Sequence, residues 1–115
     1  MLCYRKSLLL CWPRNSLLDS SLDITNPVKP VEVLCLKLSN TYEPHWTGWD
    51  AKTQRLVETG SELRLYLLKF VPATGALTTD DAFRGTDGKV GFNFNDRDCH
   101  GWKGARLPHG VVFPR

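Results

Sequence analysis

Two prolines 45 residues apart set the most restrictive pattern in this chain. Pro27, in "SLDITNPVKP" (21–30), and Pro72, in "VPATGAL" (71–77), each open a turn between two apolar runs. A second pair of markers repeats the pattern: Pro44-His45 in "EPHWTGWD" (43–50) and Pro108-His109 in "LPHGVVF" (107–113). Proline and glycine recur at intervals too short for long helices, which favours strands joined by tight turns.

The runs between these markers read as strands. "VEVLCLKL" (31–38) follows Pro30, a residue tolerated at the start of a strand, and its second half alternates in hydropathy. Leu22 and Ile24 give the preceding run one apolar face before the turn signal Asn26-Pro27. "LRLYLLKF" (63–70) is apolar on both parities, as expected of an inner strand. "PATG" (72–75) is a turn with proline early and glycine late, and "ALTTDDAF" (76–83) returns as an outer strand. "HWTGWD" and "RLVETG" flank "AKTQ" as a further pair. Leu, Glu, Arg and Lys also favour a helix over 53–70, but Gly60 in its middle argues against a continuous one.

These segments predict an all-β fold of antiparallel, four-stranded sheets. A period near 45 falls within the roughly 40–50 residues of a β-propeller blade. On this reading residues 1–14 are a divergent segment that fits no blade strand. Residues 15–115 form a partial propeller: 15–43 end one blade, 44–83 form a complete blade, 84–106 are a loop insertion and 107–115 begin the next blade. Pro-His then opens the innermost strand of a blade, at the mouth of the central channel. His45 and His109 are therefore expected on the same rim, as candidate metal ligands.

Specific residues support a family resemblance. "LDITNPVKPVEVLCLKL" resembles the pattern of LVIVD-repeat β-propellers. "EPHWTGWDAKTQRLVETG", "LYLLKFVPATGAL" and "LPHGVVF" look like the selenium-binding-protein-like and YncE-like propellers. The resemblance covers about residues 15–115 and implies a truncated fragment of a larger ring. Some members of the selenium-binding-protein group resemble copper-dependent thiol oxidases with histidines around the channel. The resemblance thus implies copper as the cofactor and His45 and His109 as its ligands, with Glu43 placed to orient His45. Two histidines leave a copper site incomplete, so missing blades would supply the rest. The expected role is that of a non-catalytic repeat or interaction module, and the alternative is one part of a metal-dependent oxidoreductase. The expected partners are the missing blades or further copies of the chain, because an open blade array leaves strand edges unpaired.

Composition narrows the other options. The chain has 115 residues, with 42% hydrophobic and 23% charged, which suits one small folded domain rather than a disordered segment. The net charge of +3 is spread among acids with no basic cluster, so nucleic-acid binding is not expected. The apolar run near the N-terminus is cut off by Pro13-Arg14, and no segment reaches the ~20 apolar residues of a membrane span, so neither a signal peptide nor an anchor is expected. Cys3, Cys11, Cys35 and Cys99 show no C-x-x-C spacing and are expected to be free, mostly buried thiols.

The remaining polar clusters carry weaker signals. Asp87, Asn93, Asn95, Asp96 and Asp98 offer oxygen ligands in a glycine-rich loop, without EF-hand spacing. His100 lies in that long loop beside Cys99, but a nucleophile and its base must meet in space rather than in sequence. Trp46 and Trp49 have opposite strand parity, so one is expected to pack between sheets and the other nearer the channel or surface.

Overall fold

Alternating runs closed by short turns build two antiparallel meanders. The computed structural model describes residues 2–4, 8–11, 18–95, 101 and 107–114, and no helix occurs among them. Strands β1 (Leu2–Tyr4), β2 (Leu8–Cys11), β3 (Leu18–Asp23) and β4 (Val31–Lys37) form one sheet in chain order. Strands β5 (Pro44–Asp50), β6 (Arg55–Gly60), β7 (Arg64–Val71) and β8 (Ala76–Thr79) form the second, also in chain order. β9 (Phe92–Asn93) pairs with the start of β7. The all-β, antiparallel expectation is met.

Three sequence expectations change. Residues 1–14, read as a divergent segment that fits no blade strand, carry β1 and β2, and β2 pairs with β3, Leu9 opposite Leu22. Strand pairing uses backbone groups, so a short apolar run needs no motif to extend a sheet that has a free edge. Within the span read as a loop insertion, Arg84 bridges Val90 and Gly91, and β9 adds to the sheet. The Pro-His step at 108–109 was expected to open a strand, but residues 107–114 run alongside the second sheet without joining a ladder.

Local chemistry explains the turns. Asn26 accepts from the Val28 N–H through Oδ1 at 3.2 Å and from the Lys29 N–H through its carbonyl at 3.0 Å, closing the link from β3 to β4. The β7–β8 turn closes with the Gly75 N–H donating to the Val71 carbonyl at 2.8 Å. Gly75 has φ of 76°, a left-handed conformation that costs a glycine little.

The two sheets pack face to face. Period-two alternation places Leu56, Tyr66, Leu68, Phe70 and Leu77 on one face of the second sheet, with Tyr42 against them. Leu34, Leu36 and Leu38 of the first sheet pack on that cluster. Trp49 meets Phe70 edge to face at 5.7 Å, so it is the tryptophan of the inter-sheet layer. Ser21 is fully buried and its hydroxyl donates to the Gly75 carbonyl at 3.0 Å, tying β3 to the β7–β8 turn. The inner face also carries two acids, Asp19 opposite Leu36 on β3 and Glu58 opposite Tyr66 on β6.

Candidate functional site

The other face of the second sheet meets the 107–114 segment, and there the two expected histidines come together. Pro44 pairs with Gly60 and Trp46 with Thr59, so His45 is an extra residue with no opposite number on β6. Such a bulge turns a side chain out of the regular pleat, and His45 is exposed. His109 is held through its backbone, whose carbonyl accepts from the Thr59 hydroxyl at 2.8 Å. Gly110 then lies against the Trp46 indole, where an added Cβ would sit 3.4 Å from the ring. With these anchors in place, the His45 and His109 rings lie 4.9 Å apart between centroids, tilted by 48°.

The pair stands at a hollow of about 270 Å³ lined by Glu43, Pro44, His45, Gly60, Ser61, Leu107, Pro108 and His109. Gly60 is required at its floor. A Cβ there would lie 2.3 Å from the Glu43 carbonyl oxygen and 2.7 Å from the Tyr42 ring. Glu43 is fixed by its backbone: its N–H donates to the Ser61 hydroxyl at 2.9 Å and its carbonyl accepts from the Ser61 N–H at 3.0 Å. Glu43 lines the hollow, but among the described residues no hydrogen bond or ion pair joins its carboxylate to either imidazole.

Two imidazoles binding one ion at about 2.0–2.1 Å place their nitrogens roughly 3.3 Å apart across a tetrahedral angle. Ring centroids 4.9 Å apart suit that arrangement. The donor set is incomplete, since no group of three or more His, Cys, Asp or Glu able to hold a metal occurs among the described residues. Among the described residues the hollow thus brings together two imidazoles and no third candidate ligand group.

The weaker sequence signals resolve differently. His100, Cys99, Asp96 and Asp98 lie outside the described residues. Asp87 is committed to β7 and to its own loop: Oδ2 accepts from the Arg64 guanidinium and Oδ1 from the Lys89 N–H at 3.1 Å. These bonds hold its carboxyl below the usual carboxylate range. Asp80 likewise accepts from Arg55 Nε at 2.9 Å and lies 3.7 Å from Lys69 Nζ. Cys35, expected to be buried, is free and exposed. It occupies the alternate parity of β4, pointing away from the face that carries Leu34 and Leu36. No helix among the described residues is long and apolar enough to cross a membrane.

The inter-sheet layer holds polar residues that no sequence motif marks. Asp19 and Glu58, one from each sheet, are both buried in this layer, and each acts on the other's carboxyl. Asp19 Oδ2, Glu58 Oε1 and the Tyr42 hydroxyl are buried with no hydrogen-bond partner among the described residues. The available signal was parity: in "RLVETG", Glu58 falls on the same face as Leu56.

Comparison with protein-family models, with curated proteins and with solved structures finds no match to this chain.

Proposed function

We propose that the chain is a segment of a β-propeller whose His45–His109 rim forms part of a site for copper or zinc. The observation that carries this reading is the approach of the two rings to 4.9 Å at an exposed hollow. The bulge at His45 and the Thr59–His109 bond support it, because each fixes the backbone at one histidine without help from the other. The remaining ligands come from further blades or from a second copy of the chain, in keeping with the two-histidine donor set. The two histidines supply the segment's share of the metal site, and an oxidoreductase role belongs to the completed site. The test is a calorimetric titration of the purified chain with Cu(II) and with Zn(II), beside a His45→Ala, His109→Ala double variant. One ion bound per site in the parent and none in the variant supports the reading. Equal binding by both proteins removes it.

A second reading, of an interaction module, rests on β4. This strand ends its sheet, and Val31 and Val33 are 61% and 45% exposed. An end strand with exposed β-branched residues pairs readily with another strand. Sedimentation that shows self-association, weakened by Val33→Lys, supports this role, and a monomer at all concentrations contradicts it.

A further inference from the structure

Asp19 and Glu58 sit where a sheet interface ordinarily holds apolar side chains. Asp19 is 5% exposed and Glu58 1% exposed, and they belong to different sheets. Around Glu58 lie Leu56 on its own strand and Tyr66 opposite it on β7, with Thr47 opposite on β5. Asp19 faces the same layer beside Leu36. The titratable groups near the pair are Tyr42 and Tyr66, with Glu62 and Arg64 farther out. Arg64 is committed elsewhere, to Asp87 and to the Val90 and Gly91 carbonyls. No cation among these neighbours neutralises two carboxylates.

Two charged carboxylates cannot share a dry layer at hydrogen-bond distance without strong repulsion. One proton removes the conflict, since a protonated Glu58 donates to the Asp19 carboxylate. We propose that Asp19 and Glu58 are a one-proton latch between the two sheets, closed while the pair holds its proton and forced apart when the proton leaves. Loss of the latch opposes the Leu34, Leu36 and Leu38 packing and the Ser21–Gly75 bond that also join the sheets, while each sheet can keep its own ladder.

Burial raises both carboxyls, and the Asp19 charge raises Glu58 further. The folded chain therefore keeps a proton that the unfolded chain releases above about pH 4. Stability from the pair is complete below about pH 4 and is lost as pH rises through the raised values of the folded pair. Linkage sets the size of the effect: one retained proton raises the unfolding constant by up to about tenfold per pH unit.

The experiment is urea unfolding of the full chain between pH 5 and 9, followed by tryptophan fluorescence. The wild-type unfolding constant is expected to rise steadily with pH. In Glu58→Gln the side-chain amide still donates to Asp19 but cannot ionise, so the rise is expected to flatten. A pH-independent wild type, or a Glu58→Gln variant with the wild-type slope, overturns the latch. Carboxyl carbon NMR of the unaltered chain decides the matter if the variant does not fold. A carboxyl that titrates well above the ordinary range supports the latch, and all carboxyls titrating near pH 4 overturn it.

Discussion

Replacing Tyr42 by phenylalanine should stabilise the protein, against the usual direction for a fully buried residue. Tyr42 is 0% exposed, and its ring meets Tyr66 edge to face at 5.0 Å. Phenylalanine keeps that ring contact, a pair of the kind worth about 0.5–1.5 kcal/mol beyond its area. What it removes is a hydroxyl with no partner among the described residues, held neutral by burial and by the neighbouring acids. A buried, unsatisfied polar group costs about 1–3 kcal/mol. Tyr42→Phe is therefore expected to gain about 1 kcal/mol, or about 4 °C in Tm for a domain of this size. Tyr42→Ala discards the ring as well and should lose about 3–5 kcal/mol, as large-to-small changes of buried aromatics do. Calorimetry at one fixed pH measures both variants beside the parent chain. A loss of 1 kcal/mol or more in Tyr42→Phe would show that the hydroxyl is bonded, and the reasoning about an unsatisfied inter-sheet layer would fail.

Other outcomes follow from single contacts. Leu68→Ala empties the centre of the fully buried cluster and should cost about 2–5 kcal/mol by chemical denaturation. Gly60→Ala forces a Cβ against the Glu43 carbonyl and should cost about 1–3 kcal/mol while weakening metal binding at the hollow. Burial alone would raise the Asp80 carboxyl, but bonds from Arg55 and the Ala82 N–H and the charge of Lys69 bring it below its ordinary value. Its contribution is present above about pH 4 and is lost as pH falls through the lowered folded value, so Asp80→Asn should flatten the acid limb of a stability–pH profile below pH 4.

Much of the fold follows from local rules that a sequence displays. Apolar residues on both parities of 63–70 require cover on both faces, and β7 is a central strand whose Leu65, Tyr66, Leu68 and Phe70 are all buried. Pro72 and Gly75 mark the β7–β8 turn because each favours a backbone conformation that the turn uses. The N-terminal strands lacked such marks, since their order comes from pairing with β3 rather than from their own pattern. The site was half legible. Proline before each histidine pointed to a shared rim, and the rings do meet. His109 arrives there differently from expectation, through the Thr59 bond and the Gly110–Trp46 contact, neither of which a local pattern encodes. The buried acid pair depends on two strands in separate sheets. Parity could mark Glu58 as inward-facing, but only tertiary packing brings Asp19 to it.

The meeting of His45 with His109 is the structural claim on which the functional reading depends. Two-dimensional NMR of the metal-free chain tests it through nuclear Overhauser contacts between the two imidazole rings. A direct cross-peak between them is expected, with a companion contact from Gly110 to the Trp46 indole. Assigned imidazole signals with neither contact would place the 107–114 segment elsewhere and contradict the site.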